Sequence, residues 1–341
     1  MKKNRLLITV LALLATLLLI VFVYETSKEK EKTTVKEKKL IKTSLRLGWI
    51  PSASFAGEYC GQVKFASKYN LDLKCVPGGP GQNSIQMVVS GENDFGTIAA
   101  DEVIAANEKG ADLVIIGVIN YYSPGAFASL KEKNIIKPKD FEGKKVGILP
   151  FGSTTLLYET LLKVNNVDRS KITEITVSPD LKPFINGAYD VQPVFVYDEP
   201  VTLDMQGIKY NIIEPKDFGV KIKGPVYFCK KSLLDNEPEK VKAFIYTVAD
   251  GWNFALKNKE EAIKILKKQA PEINTKREAL VLNKLVPYYS AYNNQPLNSD
   301  YESWNETFRI LKEAGKIKNN VDLHSVIKLE NINKYYKKND N

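Results

Sequence analysis

From Leu45 onward, short apolar runs alternate with helix-like stretches, and that alternation most restricts what the chain can fold into. Residues Leu45 to Gln62, LRLGWIPSASFAGEYCGQ, open the series. Leu45, Leu47 and Trp49 alternate as in a short buried strand, Pro51 with Ser52 and Ser54 breaks it, and a helix pattern starts near Gly57. Strand-loop-helix corners of this kind lie at the carboxyl ends of strands in open α/β sheets, where ligands bind, and this one carries Trp49, Phe55 and Glu58. The competing reading is that the two aromatics are core.

The pattern continues as strand 71–76, the loop GGPGQN (78–83), helix 84–90, strand 94–98, helix 101–109 and strand 112–120. It restarts at 144–149 with PFGSTT and helix 155–165, then strand 172–177, helix 181–186, strand 191–196, the tetrapeptide YDEP (197–200), helix 201–205 and strand 210–213. After a strand at 226–229 the chain reads as helical, with NKYYKKNDN at the end expected to fray. Such βα alternation implies mostly parallel sheets flanked by helices. Two α/β lobes are expected, residues 45–141 with 225–330 forming the first and 142–224 the second, joined by a hinge at the two crossings.

At 341 residues, with 44% hydrophobic and 26% charged residues, the chain has enough material for two lobes with cores of their own. The net charge of +9 suggests nucleic acid until it is located: residues 1–46 hold 11 Lys and Arg against four Glu, leaving about +2 elsewhere. No nucleic-acid partner is expected. Lys2, Lys3 and Arg5 precede an unbroken apolar run, Leu6 to Tyr24, long enough to span a bilayer. Residues 1–24 are read as an uncleaved membrane anchor, with a cleaved signal peptide as the alternative, and residues 25–44 as a charged tether. The folded part is then extracytoplasmic.

Three cysteines, Cys60, Cys75 and Cys229, and one histidine, His324, offer neither a metal spacing nor a Cys/His pair. Cys60 and Cys75 could pair in an exported protein, and free buried thiols are the favoured state. GGPGQN lacks the dinucleotide and P-loop spacings and reads as a turn with backbone donors. In PFGSTT, Ser153 and Thr154 either cap the helix or contact a ligand. YDEP follows a Val-rich strand, so Tyr197, Asp198 and Glu199 face the space between lobes, where a carboxylate accepts hydrogen bonds from an amino-substituted ring and Trp49, Phe55, Tyr121 or Tyr122 stack on it. Alternatively, Asp198 and Glu199 merely favour a helix N-terminus. No catalytic residue, metal or cofactor is assigned, so binding without turnover is expected.

Taken together, GWIPSASFAGEY, GGPGQNSIQMVVSGENDFGTIAADEV, FEGKKVGI, YDEP and KAFIYTVADGWNFAL resemble the solute-binding proteins of ABC importers that handle thiamine pyrimidine precursors, with relatives for riboflavin, nitrate, taurine and alkanesulfonates. The resemblance runs from about Leu45 to about Leu266. It implies a type II periplasmic-binding-protein fold that is α/β and two-lobed, a monomer that closes on a small-molecule ligand and delivers it to an ABC permease. The cleft residues it implies are Trp49, Tyr197 and Glu199, with Asp101, Ser123, Ser153 and Thr154 as neighbours. One branch of the group is a cytoplasmic enzyme that makes the pyrimidine precursor from its own histidine and a pyridoxal cofactor. Here Phe55 stands where several relatives carry histidine, and the cysteine-rich iron motif is absent. Phe55 also suits a larger planar ligand such as a flavin, whereas sulfonate or nitrate would want a more cationic pocket.

Overall fold

Two five-stranded sheets carry the fold of residues 41–341, and each sheet has one strand running against the other four. The structure is a computed structural model that describes residues 16–23, 39–150, 152–289, 292–318 and 322–339. The strands in chain order are β1 (Ile41–Arg46), β2 (Leu71–Val76), β3 (Phe95–Ala99), β4 (Leu113–Val118), β5 (Gly125–Leu130), β6 (Lys145–Ile148), β7 (Thr173–Thr176), β8 (Val191–Phe195), β9 (Tyr210–Ile213) and β10 (Pro225–Lys230). The first sheet has the order β2-β1-β3-β10-β4 and the second β7-β6-β8-β5-β9. β10 is antiparallel to β3 and β4, and β5 is antiparallel to β8 and β9.

Burial explains the strand placement. Leu71, Leu73 and Cys75 alternate inward on the edge strand β2, whereas the six residues of β4 are all buried, as a strand covered by helices on both faces must be. Phe95 of β3 stacks on Phe244 of the helix Pro238–Lys257 with ring centroids 3.9 Å apart. That helix crosses the segment after the opening corner at very short range. A Cβ on Gly57 would lie 2.1 Å from the Trp252 ring, so only glycine lets the two backbones approach this closely.

Several expectations change. β1 ends at Arg46, so Leu47 and Trp49 belong to the corner, where the Gly48 N–H is taken by Thr97 Oγ1 at 2.8 Å and leaves the ladder. Residues 41–44, expected at the end of the charged tether, are already strand, and residues 25–38 of that expected segment lie outside the described residues. β5 pairs in the second sheet, so the chain first crosses at residues 119–124 and not near Glu142. The C-terminal segment is a helix, Glu330–Asn339, held by Tyr335 Oη donating to Asp250 Oδ1 at 2.6 Å and Tyr336 Oη to the Pro296 carbonyl at 2.7 Å. Two apolar tyrosine rings with polar partners outweigh the charged tail that suggested fraying. All three cysteines are buried free thiols.

Most of the anchor or signal segment, residues 1–24, lies outside the described residues; 16–23 are helical. Among the described residues no helix is long and apolar enough to cross a membrane.

The two crossings are stitched to each other. Ser123 N–H donates to the Ile222 carbonyl at 2.8 Å, Gly224 N–H to the Asn120 carbonyl at 3.1 Å, and Ile119 N–H to the Pro225 carbonyl at 2.8 Å. Between them sits Lys223, fully buried, its Nζ 3.2 Å from the centroid of the Tyr121 ring and without a hydrogen-bond partner among the described residues. Burial pushes its amine down to about 7, with Asp300 opposing the shift.

Candidate functional site

The opening corner forms one wall of a cleft of about 530 Å³. Trp49, Ile50, Pro51 and Ser52 come from the loop after β1. Facing them are Pro179 to Lys182 and Ile185, from the loop and short helix after β7, and Asp198, Glu199, Thr202 and Gln206, from the corner after β8 and its helix Glu199–Met205. Glu272 and Ile273, just before the helix Thr275–Tyr289, and Arg277 and Glu278, in its first turn, close the third side. Pro200 sits in the first turn of its helix, where a missing N–H costs nothing, and so fixes where Asp198 and Glu199 leave the strand.

Charges in the cleft are held in place. Arg277 pairs with Asp198, donates through Nη1 to Glu278 Oε1 at 2.9 Å and through Nε to Thr202 Oγ1 at 3.1 Å. Glu278 Oε2 in turn accepts the Ala53 N–H at 2.6 Å. Asp198 stands at the N-terminal cap position without a side-chain capping bond, so the ion pair and not the helix end engages its carboxylate. Glu199 Oε2 accepts the Phe195 N–H at 2.7 Å, and its carboxyl is pushed up to about 7, first by burial and next by the neighbouring charge of Asp198.

Of the residues singled out from the sequence, Trp49, Asp198 and Glu199 line this cleft together. Phe55 packs in the core, at the end of a short 3₁₀ turn. Glu58 is fully buried, accepting from Tyr227 Oη at 2.6 Å, and burial pushes its carboxyl up to about 7. Tyr197 is buried behind the YDEP corner with its hydroxyl donated to Asn120 Oδ1 at 3.2 Å. Asp101 is buried in the first turn of the helix Ala100–Glu108, its carboxyl raised to about 6 by burial against the pull of its own and the Glu102 N–H groups. Tyr122 and Ser123 lie in the first crossing, Tyr122 edge-on to Tyr121 at 4.8 Å. Ser153 and Thr154 open the helix Thr154–Val164 but neither caps it; the Thr155 hydroxyl instead donates to the Leu149 carbonyl at 2.9 Å. His324 is exposed beside Tyr301. Among the described residues no group of three or more His, Cys, Asp or Glu is arranged to hold a metal ion.

Sequence reasoning missed Arg277, Glu278, Lys182 and Asn120. Arg277 meets Asp198 from a helix 79 residues further on, a distance no local pattern encodes. Asn120 stood at the end of a predicted strand, the position where rim residues gather, and that placement was the available signal.

Comparison with known proteins fixes the lineage and corrects one expectation. A Legionella pneumophila protein named 4-amino-5-hydroxymethyl-2-methylpyrimidine phosphate synthase is 22% identical over 267 residues, covering 77% of this chain and 83% of that protein. The expectation of binding without turnover is therefore withdrawn, because a relative across most of the chain bears the name of an enzyme. In solved structures, the periplasmic sulfonate-binding protein of Methylobacillus flagellatus has a TM-score of 0.65 at 16% identity, covering 89% of this chain and 96% of that one. The aliphatic sulphonate binding protein of Escherichia coli also has a TM-score of 0.65 at 16% identity, with 85% and 94% covered. These likenesses show the fold, the two-domain α/β architecture of the periplasmic solute-binding proteins of ABC importers. The family model described as NMT1/THI5 like matches residues 52–262, from the opening corner through the long helix that packs on it, and the chain belongs to that family.

Proposed function

We propose that this chain is the extracytoplasmic solute-binding component of an ABC importer and captures a thiamine-type pyrimidine precursor, or a related small amino-heteroaromatic, in the cleft behind Trp49. The observation that carries the reading is the make-up of the lining: one tryptophan, five carboxyl-bearing residues (Asp180, Asp198, Glu199, Glu272 and Glu278) and only two cations, Lys182 and Arg277. Arg277 is already engaged by Asp198 and Glu278. A planar ring stacks on an indole while carboxylates accept from its amino group; a sulfonate or nitrate would instead meet a surplus of negative charge. The volume lies within the roughly 300–1,000 Å³ of small-molecule sites. The name of the Legionella relative contains an aminopyrimidine of this class.

In this reading the stitched crossings act as the hinge, and the closed form hands its solute to a membrane permease. Calorimetric titration with 4-amino-5-hydroxymethyl-2-methylpyrimidine, riboflavin and methanesulfonate tests it. Saturable binding of the aminopyrimidine at one site, with a change in tryptophan fluorescence that Trp49→Phe abolishes, is the expected outcome. Tighter binding of riboflavin or methanesulfonate overturns the assignment of solute class, and unchanged affinity in both Trp49→Ala and Glu199→Ala overturns the placement of the site.

A further inference from the structure

Trp49 is placed unlike the other two tryptophans of the chain. Trp252 and Trp304 are fully buried, the first with its ring 4.1 Å from that of Tyr289 and the second with Lys223 Nζ 5.9 Å from its ring centroid. Trp49 is half-buried, packs against the core and lines the cleft. Among the described residues no other ring and no cation stacks on its indole.

The charge around that indole is unbalanced. Arg277 divides its single positive charge between Asp198 and Glu278, so these three leave one negative charge in excess. The rest of the lining sets Asp180, Glu199 and Glu272 against Lys182 alone. Glu278 already uses both oxygens, for Arg277 and for the Ala53 N–H. Glu199 uses one, for the Phe195 N–H, and Glu272 has neither an ion pair nor a side-chain hydrogen bond among the described residues. After burial, the charge of Asp198 does most to push the Glu199 carboxyl up, and it outweighs the relief that Arg277 gives.

An unoccupied aromatic face beside surplus carboxylates is the chemistry that holds a planar cation. The indole face attracts positive charge, and the carboxylates supply the counter-charge. We propose that the cleft takes its solute as a planar cation, with the positive charge on the ring that stacks on Trp49 and balanced by the carboxylates of the facing walls. The proposal rests on the solute-binding reading above and narrows it to basic amino-heteroaromatics, those whose ring nitrogen holds a proton at neutral pH.

Calorimetry on the full chain at neutral pH, with 4-amino-5-hydroxymethyl-2-methylpyrimidine and 4-amino-5-hydroxymethyl-2-methylpyridine, tests the proposal. The two share shape and substituents, but the pyridine, with CH in place of one ring nitrogen, is the stronger base and carries a proton where the pyrimidine is mostly neutral. The pyridine should bind at least tenfold tighter at low salt. That preference should shrink at least threefold from about 0.01 M to about 1 M salt, as the screening length shortens from about 30 Å to about 3 Å. It should shrink as much in the double variant Asp180→Asn, Glu272→Gln, which neutralises two exposed carboxylates and breaks no ion pair. Thermal melting establishes that the variant is folded, and if it is not, the salt series decides alone. A pyridine that binds no tighter than the pyrimidine, or a preference that neither salt nor the folded variant alters, overturns the planar cation and leaves the solute-binding reading standing. A wild type that binds neither compound overturns both.

Discussion

Arg277 reaches Asp198 across the mouth of the cleft, tying the helix Thr275–Tyr289 to the corner after β8. The same guanidinium holds Glu278, whose other oxygen accepts the backbone N–H of Ala53 in the opening corner. A single side chain therefore links the opposite walls of the cleft.

Removing that link should loosen the cleft. Arg277→Ala leaves Asp198 beside Glu199 without its counter-charge, and a broken, partly buried pair of this kind is worth about 1–3 kcal/mol. Solute dissociation followed by stopped-flow fluorescence should speed up about tenfold or more, and a rate within twofold of wild type would show that the pair does not hold the cleft shut.

Acid should stabilise the fold through the buried carboxyls. Glu58, Glu102 and Glu199 are pushed up to about 7 and Asp101 to about 6, each chiefly by burial. Between about pH 4.5 and 7 the folded chain then binds more protons than the unfolded one, so stability falls as pH rises through this window. Glu58→Gln should remove about 2–3 kcal/mol of that fall, read from urea unfolding at pH 5 and pH 8; equal slopes for variant and wild type would contradict the shift.

Lys223 works in the opposite sense. Its folded pKa near 7 lies below the ordinary lysine value, so stability is gained as pH rises from about 7 toward 10.5 and is lost again as pH falls back to about 7, below which this group adds no further change. Lys223→Met should stabilise the protein at pH 6 by about 1–3 kcal/mol and flatten the alkaline limb, because a buried ammonium without a hydrogen bond is replaced by an apolar chain of similar length. Contact with the Tyr121 ring recovers part of that cost in the wild type, and a destabilised variant at pH 6 would mean that it recovers all of it.

Gly251 is, like Gly57, a point of very close approach in the helix crossing. A Cβ there would lie 2.1 Å from the Gly57 carbonyl oxygen, a backbone atom that cannot swing aside. Gly251→Ala should cost about 3 kcal/mol or more in chemical denaturation, with a loss under 1 kcal/mol showing that the helices separate easily.

Local pattern revealed most of the elements and little of their partnership. The periods that placed β2, β4 and the helices at 238–257 and 259–269 are set by which face is buried, and that information is local. The sheet that β5 joins depends on pairing with residues 191–213, which an apolar run at 125–130 does not announce. Trp49, Asp198 and Glu199 were legible because they follow strands and carry chemistry that solvent would not demand there. Glu58 was legible as a candidate and not as a buried one, since its partner Tyr227 is 169 residues away. Arg277 and Lys223 look like ordinary surface cations in sequence; a lysine set among Val220, Ile222, Val226 and Tyr227 was the only trace of burial.

The place of β10 between β3 and β4 has a consequence for how the chain assembles. The first sheet has no continuous centre until residues 225–230 arrive, after the whole of the second sheet has been made. β3 and β4 must wait with open edges, and closing across some hundred intervening residues is slow because the intervening chain has to be ordered first. A polypeptide emerging from the ribosome can complete the second sheet early but not the first, so the delay built into the strand order keeps the leading part of the chain unfolded for the longest time.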